Sequence, residues 1–177
     1  MIYYTADLHL GDARIVCLCG RPYRSAMEMA EDLRNRWNSV VTDCDDVFIL
    51  GDLAFRFRGD LGAYLDSLNG RKHLIVGNHD KNWLKFAEYR IRFHSIKDVQ
   101  TVKDDGRSVA LCHYPMYAFE GSTKGGYHVY GHVHNNYGEP MYDILNSLPN
   151  YFNAGVDVNG FVPVTLDELI ERKRKIK

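Results

Sequence analysis

The sequence has little cysteine. Its four cysteines are Cys17, Cys19, Cys44 and Cys112, too few for a disulfide scaffold in 177 residues. Cys17 and Cys19 are separated by one residue and no second pair matches them, so they do not have the spacing of a zinc knuckle. We therefore expect four reduced thiols and a cytoplasmic protein.

Long apolar runs and an excess of one charge are also lacking. No stretch approaches the ~20 apolar residues that cross a bilayer, and residues 1–4 lack the features of a signal peptide. Lys plus Arg number 22 and Asp plus Glu number 23, which excludes a strongly basic nucleic-acid coat but not a nucleic-acid substrate. We expect no membrane association and no obligate nucleic-acid partner.

What is present is the composition of a globular protein. Hydrophobic residues make up 45% of the chain and charged residues 25%, and there are no repeats, low-complexity segments or linker-like stretches. Residues 1–177 are therefore predicted to form a single domain.

Helix and strand signals alternate along the chain. Capping boxes at Ser25 with Glu28 and at Thr165 with Glu168 predict two helix starts, and a further helix is predicted over 61–68. Short β-like runs lie between them, at 2–6, 47–50, 73–76, 109–112 and 127–130. A turn signal at 104–106 predicts a hairpin that joins 96–102 to 107–112. The pattern indicates an α/β fold with some antiparallel pairing.

Residues of metal-ligating types follow directly after each of the five β-like runs. They are Asp7 and His9, then Asp52, then Asn78 and His79, then His113, and last His132 and His134. Because ligands gather outside the carboxyl ends of strands in such sheets, we expect these side chains to form one cluster. A lone histidine is usually a surface or hydrogen-bonded residue, and we assign that role to His73, His94 and His128.

The spacing and chemistry of these residues fit a metal centre. Asp7 and His9, like His132 and His134, are two apart, so in extended chain each pair projects from one side. Glycines at 51, 77 and 131 let the backbone turn without a side chain in the way. The donor set suits manganese, iron or zinc, and it is too large for one ion. It fits two ions that share a bridging carboxylate at a separation of ~3.5–4 Å.

The order Asp-x-His, Gly-Asp, Gly-Asn-His-Asp, His, Gly-His-x-His resembles that of the calcineurin-like metallophosphoesterases. The resemblance runs from Asp7 to about Asp157 and is closest to small, stand-alone bacterial or phage members, which also tend to carry the Arg21-Pro22 pair and the 153–157 segment. One departure is Asp12, where small relatives often have a second histidine, and it bears on substrate preference rather than on metal binding.

The resemblance implies a fold and a set of roles. The fold is a β-sandwich of two mixed sheets flanked by helices, in four αββα layers. The cofactors are two divalent or trivalent ions of manganese, iron, zinc or nickel. One ion is held by Asp7, His9 and His134, and the other by Asn78, His113 and His132, with Asp52 bridging. The catalytic residues implied by the resemblance are Asp52, Asn78 and His79. His79 would face the substrate, either as general acid or as hydrogen-bond donor to the phosphoryl oxygens.

The function predicted in this way is phosphoester hydrolysis. A hydroxide held between two metal ions attacks the phosphorus of a phosphomonoester or phosphodiester. The substrate is a small phosphorylated compound, with nucleotides among the candidates, and Arg21, Arg56 and Arg58 are candidates for binding its phosphate. The alternatives are a non-catalytic metal-binding scaffold for protein interaction and a small nucleotide phosphodiesterase or nuclease. The glycine-rich stretch 120–126, within the loop 115–127, is expected to be flexible and close to the mouth of the site.

Overall fold

The computed structural model describes residues 1–176, and within them the chain alternates between strands and helices. In chain order the elements are β1 (Ile2–Thr5), α1 (Ala13–Leu18), α2 (Ala26–Val40), β2 (Asp46–Leu50), α3 (Leu61–Asp66), β3 (Arg71–Ile75), α4 (Ala87–Arg90), β4 (Ser95–Lys97), β5 (Val99–Asp104), β6 (Arg107–Cys112), β7 (Tyr127–Tyr130), α5 (Pro140–Ser147), β8 (Tyr151–Asn153) and α6 (Leu166–Ile176). Short 3₁₀ turns span Asp80–Lys85, Ser122–Lys124 and Val156–Val158.

The strands form two four-stranded sheets. The first has the order β1-β2-β3-β4, and its strands run parallel. The second has the order β5-β6-β7-β8, with β5 and β6 antiparallel and the remaining pairs parallel. An antiparallel bridge between Tyr4 and Val164 lies beside β1. The predicted fold class, two sheets flanked by helices, is confirmed, although the strands of the first sheet pair only in parallel, so the prediction that both sheets are mixed is wrong for that sheet.

Successive side chains along the strands of the first sheet point alternately into two separate hydrophobic cores. Tyr3, Val47 and Leu74 point to one face, where they pack against apolar residues of α2 and α3. Tyr4 and Phe48 point to the opposite face and pack against the second sheet. Both faces of the parallel sheet are therefore covered, which explains why its strands are apolar nearly throughout.

Both predicted helix starts are present, and the capping box at Thr165 is complete, whereas at Ser25 the Glu28 carboxylate accepts from the Arg24 amide at 2.8 Å. The Ser25 hydroxyl accepts a hydrogen bond from the Glu28 amide at 3.1 Å, and α2 begins at the next residue. The Thr165 amide donates to the Glu168 carboxylate at 2.8 Å, just before α6. The helix predicted over 61–68 ends earlier than expected, at Asp66, although Leu68 is buried.

The predicted hairpin is present, but the prediction of a single strand over 96–102 is wrong. Ser95–Lys97 pairs with β3 in the first sheet, whereas Val99–Asp104 pairs with β6 in the second. The chain crosses between sheets at Asp98, a change of partner that strand propensity does not encode. Asp105 and Gly106 both have positive φ, 48° and 76°, as a two-residue type I′ turn requires.

The four cysteines are free thiols. Among the helices of residues 1–176, none combines the length and the apolar character needed to cross a bilayer.

Candidate metal centre

The segments that follow five strands meet at one place, at the carboxyl ends of β1, β2, β3, β6 and β7. The Asp52 carboxylate, which follows β2, lies at its middle. Its Oδ2 atom is 3.6 Å from His9 Nε2 and 3.5 Å from His113 Nε2. His79 Nε2 is 4.0 Å from the same oxygen. Histidines from three of the other four segments thus surround a single carboxylate oxygen.

The side chains divide into two groups, each with donor atoms within 4.8 Å of one another. The first group is Asp7, His9 and His134, and the second group is Asp52, His113 and His132. Asn78 adjoins the second group, since its Oδ1 atom lies 3.0 Å from His113 Nε2. The donor atoms of Asp52, His9 and His79 also lie within 4.8 Å of one another, so the Asp52 carboxylate faces both groups.

His9 lacks the hydrogen bonds that a buried imidazole needs. Its side chain is 4% exposed, and neither ring nitrogen has a hydrogen-bond partner within the described residues. A buried polar atom left without a partner costs about 1–3 kcal/mol. Burial, together with the nearby positive charge of His134, lowers the pKa of His9 to about 3, so the ring is neutral. A neutral imidazole with an unused lone pair is the form that binds a metal ion.

The Nε2 lone pair of His113 faces the lone pairs of two oxygen atoms, which belong to Asn78 and Asp52. Its Nδ1 atom lies 2.8 Å from the Leu50 carbonyl oxygen, which can only accept a hydrogen bond, and this contact assigns the ring proton to Nδ1. Nε2 then faces the oxygens of Asn78 and Asp52 at 3.0 and 3.5 Å. A cation among these three atoms removes the repulsion between them, and the hydrogen bond at Nδ1 is the usual second contact of a metal-binding histidine. The donor set therefore fits a metal ion at this position.

The backbone of five of these residues is in the left-handed region. The φ angles of Asp7, His9, Asp52, His132 and His134 are 60°, 51°, 52°, 71° and 46°. Such conformations cost about 1–3 kcal/mol each for residues other than glycine, and they cluster at functional sites. The prediction that each pair projects from one side of an extended chain is wrong. The chain turns at each residue, and His132 and His134 fall in different groups.

All three predicted glycines are needed for close approach, since a Cβ atom on Gly131 would lie 2.7 Å from the Ala6 Cβ atom and 2.9 Å from the Asp7 Oδ2 atom. A Cβ atom on Gly77 would lie 2.4 Å from the Asp52 Oδ1 atom, and one on Gly51 would lie 2.5 Å from His113 Nδ1. Gly51 also has φ +81°. A side chain at any of these positions would displace a group of the cluster.

Asp157 and Arg21 form a buried support behind His134. The Asp157 carboxylate accepts a hydrogen bond from His134 Nδ1 at 2.8 Å and two from Arg21, at 2.7 and 2.9 Å. Burial alone would lower the pKa of His134, but the hydrogen bonds to Asp157 and Cys19 and the charge of Asp7 together outweigh it and raise that pKa to about 10. Asp157 thus fixes the orientation of His134 and leaves Nε2 directed to the first group.

The prediction that Arg21 binds substrate is wrong. Its side chain is fully buried, and besides Asp157 it donates to the carbonyl oxygens of Leu8 at 2.9 Å and Asp7 at 2.7 Å. These contacts hold the loop after β1 in place. The Arg21-Pro22 and Asn153–Asp157 motifs were visible in the sequence, but a pairing across 136 residues was not.

Asp80 is a second supporting residue that sequence reasoning left without a role. Its buried carboxylate accepts four hydrogen bonds, from the amides of Asp52, Leu53 and Gly77 and from the Trp83 indole, at 2.8–3.0 Å. It therefore ties the loop after β2 to the loop after β3. Asp7 makes a similar link, since its carboxylate accepts from the His132 amide at 2.9 Å.

His79 is more open to solvent than His113 and Asp52, as are Asn78 and His132, which are exposed. Its side chain is 35% exposed, whereas those of His113 and Asp52 are 0% and 2% exposed. Its amide donates to Asp52 Oδ1 at 2.8 Å, which fixes the backbone while the ring faces outward. Tyr114, which was not predicted, donates its hydroxyl to Asn78 Oδ1 at 3.3 Å and stacks edge-on to His132.

Arg56 and Arg58 face different cavities. Arg56 lines a cavity of about 340 Å³ together with His79. Arg58 lines another, of about 600 Å³, to which no residue of the two groups contributes. The geometry places only Arg56 beside the cluster.

The remaining polar positions have local structural roles. Asp12 caps α1 by accepting from the Arg14 amide at 3.0 Å. His73 and His128 are buried with hydrogen bonds at both ring nitrogens, and His94 is exposed, as predicted.

Known proteins similar to this chain carry little functional description. MJ1445, an uncharacterized protein of Methanocaldococcus jannaschii, is 32% identical over 181 residues, which cover 99% of this chain and 94% of that protein. The Gene 66 protein of Mycobacterium phage L5 is 35% identical over 85 residues, 44% of this chain and 39% of the phage protein. No protein-family model matches the chain.

Solved structures support the fold. A protein of unknown function from Aquifex aeolicus, AQ665, has a TM-score of 0.74 and 26% identity over 97% of this chain and 98% of its own. An uncharacterized protein from Streptococcus pneumoniae, described as a predicted phosphoesterase, has a TM-score of 0.36 and 18% identity over 75% of this chain and 62% of its own. The second likeness is too low to support an inference.

Proposed function

We propose that this chain, which belongs to the same family as the uncharacterized protein MJ1445, is a metal-dependent phosphoesterase. The observation that carries the proposal is His9, a buried imidazole with no hydrogen-bond partner at either nitrogen, in a cluster of aspartates and histidines. The order of motifs that resembles the calcineurin-like metallophosphoesterases supports the same activity.

The proposed centre holds two ions. Asp7, His9 and His134 would hold one, and Asn78, His113 and His132 would hold the other, with Asp52 shared between them. When bound, such ions supply Lewis acidity toward phosphoryl oxygens and lower the pKa of water. Imidazole, carboxylate and amide donors suit manganese, iron, zinc and nickel.

Two side chains outside the ligand set would act on the substrate. His79 is partly exposed and adjoins Asp52, so it can donate a proton to the leaving oxygen of the ester. Arg56, exposed beside the same cavity, can pair with a phosphate oxygen. Asp157 and Arg21 would serve only to position His134 and the loop after β1.

Within this proposal the protein works in the cytoplasm on a small phosphorylated compound. Its four cysteines are free thiols, and free thiols are typical of proteins in a reducing compartment.

The test is hydrolysis by metal-stripped and metal-restored protein. One chromogenic phosphomonoester and one phosphodiester would be assayed with manganese, zinc, magnesium and nickel. We expect turnover that depends on added metal and falls about 10²-fold or more in His79→Ala. The matched control is His94→Ala, an exposed histidine outside the cluster, which should retain activity. Absence of turnover with every metal and both esters would contradict the proposal.

A further inference from the structure

The cavity beside His79 has a wall of aromatic side chains. Its volume is about 340 Å³, within the range of small-molecule sites. The aromatic residues that line it, apart from His79, are Phe55, Phe57, Trp83, Phe86 and Tyr89. Arg56 is the charged residue of the lining, and no acidic residue of the described chain contributes to it. The cavity is therefore suited to a flat apolar group joined to an anion.

Phe55 and Phe86 offer the ring surface. The Phe55 ring lies 4.8 Å from that of His79, and the guanidinium groups of Arg14 and Arg56 lie 5.0 and 5.1 Å from its centroid. Phe86 is 56% exposed, so part of its ring is open to contact by a ligand. Flat groups stack readily on such rings, and two planar guanidinium groups already lie over the ring of Phe55.

We propose that this cavity binds a nucleobase, so that the substrates of the centre are nucleotides or their esters. This inference rests on the proposed phosphoesterase function, because His79 belongs both to the cavity wall and to the metal-ligand cluster. A phosphate at the cluster would lie next to Arg56, and the attached base would extend over Phe86. The Asn82 amide, also in the wall, can donate and accept hydrogen bonds at the edge of the base.

The larger cavity does not provide such a site. It shares Phe57 and Gly59 with the cavity beside His79, but it is lined mainly by residues of α2 and the loop before α3. Neither His79 nor any residue of the two metal-ligand groups lines it, so a base bound there would lack the link to the cluster that His79 gives the smaller cavity.

Binding of adenosine and ribose to the purified full chain tests the cavity independently of hydrolysis. Neither compound carries a phosphate ester, so neither is a substrate of the proposed centre. We expect adenosine to bind at least about tenfold more tightly than ribose in saturation-transfer NMR titrations, since base stacking on aromatic rings contributes roughly that factor. Phe86→Ala should remove most of the difference, and because this side chain is largely exposed the variant should fold. Tyr117→Ala, which removes a 98% exposed aromatic outside the cavity, should leave the difference unchanged.

A second arm connects the cavity with the reaction. AMP should inhibit hydrolysis of a chromogenic ester about tenfold better than ribose 5-phosphate, and Phe86→Ala should abolish this advantage. If adenosine binds at Phe86 but no ester is hydrolysed, the proposed function fails and the substrate assignment falls with it. If esters are hydrolysed while adenosine binds no better than ribose, or Phe86→Ala changes neither ratio, the nucleobase inference alone is overturned.

Discussion

Asp80 joins two loops of the cluster without belonging to its ligand set, so replacing it tests the scaffold apart from any metal. Asp80→Asn keeps the size of the side chain but replaces one carboxylate oxygen by an NH₂ group. In the parent chain each carboxylate oxygen of Asp80 accepts two hydrogen bonds. Oδ1 accepts from Leu53 and Trp83, and Oδ2 accepts from Asp52 and Gly77. In either orientation of the amide, two buried N–H donors lose their acceptor.

The expected cost follows from that count. An unsatisfied buried donor costs about 1–3 kcal/mol, so two give about 2–6 kcal/mol. Burial raises the pKa of Asp80, which shows that its charge is itself costly to bury, and an amide recovers part of this penalty. We therefore expect Asp80→Asn to lower the free energy of unfolding by about 3 kcal/mol, a large share of the ~5–15 kcal/mol of a typical domain.

Urea unfolding of the metal-free variant measures this loss. Asp167→Asn is the matched control, because Asp167 pairs with Arg107 at the surface and its side chain is 76% exposed. Such a pair contributes about 0–1 kcal/mol. A decrease of less than ~1 kcal/mol for Asp80→Asn, no larger than that of the control, would refute the hydrogen-bond argument.

Three further predictions concern single positions. Asp157→Ala should weaken metal affinity by about 10–100-fold, measured by calorimetry, because His134 loses the hydrogen bond that orients it; unchanged affinity would contradict this role. Gly77→Ala should unfold at lower urea concentration than the parent, since its Cβ would lie 2.4 Å from the Asp52 Oδ1 atom. Equal urea midpoints for the two proteins would show that the loop can shift to accommodate the methyl group. The hydrogen bond from Arg71 lowers the pKa of Asp46 to about 2. A lowered carboxyl pKa stabilises the fold above the unfolded value of about 4, and this contribution is lost as pH falls through about 2. Asp46→Asn should therefore lower stability by under ~1 kcal/mol at pH 6 and by only a small part of that at pH 2. A difference as large at pH 2 as at pH 6 would assign the effect to packing.

The parts of the fold that the sequence predicts are those with local signals. Capping at Ser25 and Thr165 depends on residues three apart, and both helices begin where expected. The convergence of the strand ends follows from the rules of sheet topology, because parallel strands place their carboxyl ends at one edge. This rule is sufficient to predict that Asp7 lies near His9 and that Asp52 lies near His113.

The parts that it does not predict depend on distant contacts. Arg21 points inward because Asp157, 136 residues away, binds it, and nothing near Arg21 distinguishes it from an arginine in solvent. The left-handed backbone of His9 and His132 opposes local preference, and tertiary contacts must hold it. The same limit explains the segment 96–102, whose two halves differ in the sheet they join rather than in strand propensity.

The central claim is that the cluster holds metal ions, and the most direct measurement is the metal content of the purified full chain. Metal-stripped protein would be titrated with manganese and zinc by calorimetry, and bound metal would be counted by elemental analysis after dialysis. We predict about two ions per chain, reduced by at least one in His9→Ala and unchanged in His94→Ala. Protein that binds no ion, or a His9→Ala variant that binds as many as the parent, would contradict the account.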